Sequence, residues 1–109
     1  MSLFSLFAAG DTSPAPALQT DDFQTPNGKT VTFTCIKHAT LRIQYDGFEI
    51  QVDPVGKGLK PQTDYTRFPK ADLILVTHEH FDHFDRDAIA ALRKDGTQVF
   101  ANPAVRNYQ

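Results

Sequence analysis

The chain has 109 residues, 40% apolar and 22% charged, with a formal net charge of −2. That length holds one domain at most and buries roughly 60–70% of its unfolded surface, enough for a modest core. Nothing in the composition suggests a basic grip on nucleic acid, no apolar run approaches the ~20 residues of a membrane span, and the single cysteine, Cys35, excludes an internal disulfide.

Met1 to Gly10 is apolar and ends in small residues. It reads either as the tail of an export signal lacking its positive start, which would make the chain periplasmic or secreted, or as a plain flexible start to a cytoplasmic one. Pro14, Pro16 and small polar residues follow, so residues 1–22 are expected to form a signal remnant or flexible arm beside a domain at 23–109.

From Phe23 onward the pattern predicts successive strands. Pro26-Asn27-Gly28-Lys29 is a turn, and Thr30 to Ile36 alternates with Val31, Phe33 and Cys35 on one face. Leu41, Ile43 and Tyr45 alternate next, Asp46-Gly47 is a two-residue hairpin turn, and Phe48, Ile50 and Val52 alternate with Glu49 and Gln51. The expectation is an antiparallel meander with one core face. Val55 to Lys70 carries Gly56, Gly58, Pro61 and Pro69 and reads as a long loop, in which Tyr65 and Arg67 either face a substrate or are ordinary surface groups.

Leu73 to Val76, a continuous run of branched residues, reads as a strand covered on both faces. It runs into Thr77-His78-Glu79-His80-Phe81-Asp82-His83, which holds three of the four histidines of the chain. In an extended backbone His78, His80 and Asp82 point the same way, and His83 joins them only if the chain turns. Glu79 has the opposite parity and is set aside as a ligand. Imidazoles and a carboxylate without a thiolate form the ligand set that suits zinc, with manganese or iron as neighbours, for one or two divalent metals.

Asp85 is a good N-cap, and Ala88-Ile-Ala-Ala-Leu-Arg-Lys predicts a helix with Ile89 and Leu92 inward and Gly96 at its C-cap. Gln98 to Asn102 reads as a further short strand, with Asn102-Pro103 opening a last helix.

Thr77 to His83 resembles the His-x-His-x-Asp-His signature of the metallo-β-lactamase fold hydrolases, within the strand-to-helix context that the signature requires. The resemblance implies that His78 and His80 bind one metal and Asp82 and His83 a second. Ile50-Gln-Val-Asp53-Pro54 resembles the strand-ending Asp that supports the metal loop in this superfamily, which implies that Asp53 accepts a hydrogen bond from a ligand histidine and fixes its tautomer. His38-Ala39-Thr40 resembles a Gly-His-Ala/Ser segment of the branch with ascorbate-6-phosphate lactonase-like and N-acylphosphatidylethanolamine phospholipase-like enzymes, although Lys37 stands where that branch has Gly. It implies a place for His38 at the edge of the site. The resemblance runs from about Thr30 to Tyr108.

The implied fold is α/β, the N-terminal half of a four-layer αββα sandwich. The implied activity is hydrolysis by metal-activated water, with Asp82 orienting that water, on a small-molecule ester or lactone, amide or phosphodiester. A catalytic zinc takes three protein ligands, and the loop alone offers four residues for two metals. The remaining ligands, and cover for an exposed sheet face, are expected from a C-terminal half, with self-association as the other way to cover that face. The alternative reading is a non-catalytic metal-binding or interaction fragment.

Overall fold

The structure, a computed structural model, describes residues 18–106. The export-signal reading of Met1 to Gly10 and most of the expected arm lie outside the described residues. Six strands form one mixed sheet in sequential order: β1 Gln19–Gln24, β2 Thr30–Lys37, β3 Thr40–Tyr45, β4 Phe48–Val52, β5 Leu73–Val76 and β6 Gln98–Ala101. β1 to β4 pair antiparallel, whereas β4–β5 and β5–β6 pair parallel. The parallel pairs need crossovers, supplied by residues 53–72 and by the helix α1 Arg86–Leu92. A short helix α2, Pro103–Arg106, follows β6.

The turns follow from residues that tolerate positive φ. Gly28 lies at φ 84, and Asp46 and Gly47 lie at φ 51 and 81, the pair of left-handed conformations that a two-residue hairpin requires. Strand structure begins at Gln19, inside the stretch expected to be an arm. β1 is exposed along its whole length and carries no apolar alternation; it is held by the ladder to β2 and by cross-strand pairs. Thr32 Oγ1 donates to Asp22 Oδ1 at 2.8 Å, and the rings of Phe23 and Phe33 meet edge to face.

The register places Val31, Phe33, Cys35, Leu41, Ile43, Tyr45, Ile50 and Val52 on one face, as the alternation predicts. That face is not the one packed under the helices. Glu49 and Gln51, expected to point outward, are 6% and 0% exposed, while Phe48 is 45% exposed. Burial of Glu49 is tolerable because Arg42 pairs with it through Nε and Nη2. β5 is likewise covered on one side only: Ile74 and Val76 are buried, whereas Leu73 and Leu75 are half-buried on the apolar face.

The core lies between β5–β6 and the helices, where Tyr65, Ala71, Ile74, Val76, Ala88, Ile89, Leu92 and Val105 pack together. Each fully buried aliphatic side chain here stabilises by about 1.5–3 kcal/mol. α1 begins as expected, with Asp85 Oδ1 accepting from the backbone N–H of Asp87 and Ala88 at 2.9 and 3.2 Å. It ends earlier than expected, at Leu92. Gly96, at φ 90, serves the turn closed by Thr97 N–H donating to Lys94 O, not the helix cap. Lys94 Nζ pairs with Asp72 Oδ1 at 2.9 Å.

The long loop contains a single 3-10 turn, Tyr65–Arg67, capped by Asp64. Tyr65 is 3% exposed and faces the core, not a substrate. Its hydroxyl donates to Val55 O and accepts from Val55 N–H, both at 3.1 Å, and burial pushes its pKa up to about 12. Among the described residues no helix is long and apolar enough to cross a membrane.

Candidate metal centre

The site forms where β4 and β5 end side by side. Asp53, the residue after β4, is 2% exposed and lies at φ 49, a left-handed conformation that Asp tolerates better than most residues and that its bonds here hold in place. Its N–H donates to Leu75 O at 2.8 Å, and its carbonyl accepts from Thr40 Oγ1 at 2.6 Å. Its carboxylate then spans the base of the loop from Thr77 to His83. Oδ1 accepts from Thr77 N–H at 2.7 Å, and Oδ2 accepts from Thr77 Oγ1 at 2.6 Å and from His83 Nδ1 at 2.8 Å.

Because a carboxylate only accepts, His83 Nδ1 carries the proton and Nε2 keeps its lone pair. His83 reaches this position through a turn: its N–H donates to His80 O at 2.9 Å, and Phe84 N–H donates to the same oxygen at 3.0 Å. The turn starts early enough to include Asp82. The three-residue extended set His78, His80, Asp82 is therefore replaced by two groups.

In the first group His78 Nε2 lies 2.8 Å from His80 Nδ1, with a Glu79 oxygen near both. In the second, Asp82 Oδ2 lies 3.0 Å from His38 Nε2 and 3.8 Å from His83 Nε2. Within each group the donor atoms lie within 4.8 Å of one another. The groups adjoin, since the rings of His78 and His83 are 5.2 Å apart. Imidazole nitrogens and carboxylate oxygens converging without a thiolate fit a zinc-type divalent cation; Cys35 stands apart on the sheet face.

The electrostatics are consistent with ionised carboxylates. Burial opposes the charge on Asp82, but hydrogen bonds from His38 and its own N–H, with charge on His83 and His38, hold its pKa below the ordinary value. Glu79 is also lowered, first by its own backbone N–H and then by Asn102 Nδ2, which donates to Oε1 at 3.2 Å.

All six sequence-derived site residues, His38, Asp53, His78, His80, Asp82 and His83, meet here. Glu79, set aside by strand parity, lies beside His78 and His80 and takes a hydrogen bond from Asn102. Strand parity missed Thr77, whose place directly after β5 and opposite Asp53 was the available signal. Lys37 had no such signal: its ammonium donates to the carbonyls of Gly56, Leu59 and Pro61 at 2.8, 3.0 and 2.8 Å, tying the loop after β4 to the sheet. Burial lowers its pKa, against the charge of Asp85.

A family model described as a β-lactamase superfamily domain matches residues 32–108. A UPF0173 metal-dependent hydrolase of Rubrobacter xylanophilus is 42% identical over 78 residues, covering 69% of this chain and 31% of its own. An N-acyl-phosphatidylethanolamine-hydrolyzing phospholipase D of Caenorhabditis elegans is 26% identical over 101 residues, covering 81% of this chain and 28% of its own. A crystal structure from Parabacteroides distasonis, described as a metal-dependent hydrolase, superposes with a TM-score of 0.77 at 48% identity, covering 84% of this chain and 40% of that one. The chain thus spans about a third of the length of these curated relatives. Its mixed sheet and helices are a partial metallo-β-lactamase fold, α/β in class, and the match runs from β2 through the metal loop to α2. The chain belongs to the β-lactamase superfamily domain family.

Proposed function

We propose that this chain carries the metal loop of a metal-dependent hydrolase acting on a small-molecule ester or lactone, amide or phosphodiester. The observation that carries the reading is the convergence of His78, His80, Asp82 and His83 in a loop braced by buried Asp53. His78 and His80 would hold one divalent cation, zinc by preference, and Asp82 and His83 a second. When bound, such a cation polarises a carbonyl or phosphoryl oxygen and makes water acidic enough to react near neutral pH. Asp53 holds the proton at His83 Nδ1, so that Nε2 faces the site. Asp82 has acceptor capacity beyond its bond to His38 and would orient the attacking water.

Two cations with three protein ligands each need more donors than His78, His80, Asp82 and His83 supply. In this reading further ligands come from polypeptide corresponding to the rest of the relatives' length, which would also cover the apolar sheet face; self-association is the other way to cover it. The shortage equally supports a second reading, a metal-binding or interaction module that does not turn over substrate by itself. The test is hydrolysis of lactone, amide and phosphodiester probes by the chain completed with such a segment. His80→Ala should abolish turnover, and activity that survives it contradicts the role.

A further inference from the structure

The corner between β2 and β3 carries more than a hairpin needs. A bulge between Cys35 and Lys37 precedes it, and His38 sits at φ 48, where Gly or Asn would be less strained. On either side of His38 the chain is clamped to the segment after β4: Lys37 Nζ donates to three carbonyls, and Thr40 Oγ1, two residues on, donates to Asp53 O. The imidazole between the clamps is about half exposed, so packing gives no reason for its position. Its Nε2 points at Asp82 Oδ2 from 3.0 Å, and its ring stands 5.6 Å from that of His83.

We propose that His38 is the third protein donor of the Asp82–His83 metal position, so that this chain holds one three-ligand site by itself. This deepens the metal-loop reading above and rests on it. On a tetrahedral centre with bonds near 2.0–2.1 Å, donor atoms lie about 3.3 Å apart. The distances from Asp82 Oδ2 to His38 Nε2 and to His83 Nε2, 3.0 and 3.8 Å, straddle that value. All three donors lie within 4.8 Å of one another, so closing the group around one cation brings them to that spacing. His83 is already in the required tautomer; His38 Nε2 carries the proton of its bond to Asp82 and gives it up to Nδ1 or solvent when the cation binds, while the two clamps keep its corner from drifting. The chemical class of ligand is a borderline divalent cation such as zinc or cobalt(II).

A ligand and a group that only orients Asp82 both weaken binding when removed. The His38 ¹⁵N resonance separates them, because only a ligand nitrogen moves to the metal-coordinated position. The experiment is zinc titration of the 109-residue chain beside His38→Gly and His38→Asn, residues suited to this φ, with circular dichroism confirming that each variant folds. Histidine ¹⁵N spectra are recorded with and without zinc. The proposal expects at least a tenfold loss of affinity in both variants, comparable to the loss of a metal-orienting group. It also expects a zinc-induced shift of the His38 Nε2 resonance in the parent chain to the metal-coordinated position. An unmoved His38 resonance, or variants that bind zinc as tightly as the parent, overturn it and leave the metal-loop reading standing. A parent chain that binds no zinc overturns both.

Discussion

His83 Nδ1 donates to Asp53 Oδ2 at 2.8 Å across 30 residues of sequence, and the same carboxylate takes the N–H and hydroxyl of Thr77. One buried side chain thereby sets where the metal loop leaves β5 and which nitrogen of His83 faces the site. Asp53→Ala would remove the shared acceptor of the Thr77 N–H, the Thr77 hydroxyl and His83 Nδ1–H, all partly reachable by water, a cost of about 1–2 kcal/mol. Asp53→Asn keeps the size but offers one accepting oxygen where two are used. We expect zinc affinity to fall about 10- to 100-fold in Asp53→Asn, with most of the fold intact. Competition titration and urea unfolding measure the two effects, and an unchanged affinity would show that His83 is oriented without Asp53.

The apolar sheet face leads to a second expectation. Ile43 and Ile50 are opposite one another in the β3–β4 ladder on the face away from the helices, with Phe48 and Phe100 exposed at 45% and 61% on the same side. Contiguous exposed apolar surface of this kind favours association. The chain should sediment above its 12.2 kDa monomer mass in a concentration-dependent way, and Ile50→Lys should shift it toward monomer. A compact monomer at all concentrations would contradict this.

Asp72 provides a pH test away from the metal. Its carboxylate joins Lys94 to the N–H of Glu49, and these hydrogen bonds, Lys94 first, hold its pKa below the ordinary 3.8. A lowered carboxylate pKa adds stability that is complete above 3.8 and fades as pH falls through the lowered value. Thermal unfolding midpoints of the parent and Asp72→Asn should therefore differ at pH 6 and converge toward pH 2, roughly the window that such a shift spans. A constant difference would assign the effect to shape, not charge.

Much of this structure was legible from residue chemistry. The hairpin at Asp46-Gly47 and the N-cap at Asp85 each follow from a local rule, and the clustering of His78, His80, Asp82 and His83 was visible in the sequence itself. What failed depended on neighbours. Alternation in β4 identified two faces correctly but could not say which one lies under the helices, because Glu49 becomes buriable only once Arg42 stands beside it. β1 was hidden because its residues contribute backbone pairing rather than burial. The inward turn of Tyr65 depends on Val55, ten residues away, which offers both partners for its hydroxyl. At the site, strand parity holds only up to His80, where the chain turns, so it places Asp82 with His78 and His80 while the signature's pairing of Asp82 with His83 matches the structure.

The central claim is that the loop from His78 to His83 binds metal. Its most direct test is elemental analysis of the purified 109-residue chain beside a His78→Ala/His80→Ala double variant. The account predicts about one to two equivalents of zinc or a related divalent metal per parent chain, with a clear loss in the variant. Equal metal content in the two proteins, or none in either after loading with zinc, would contradict it.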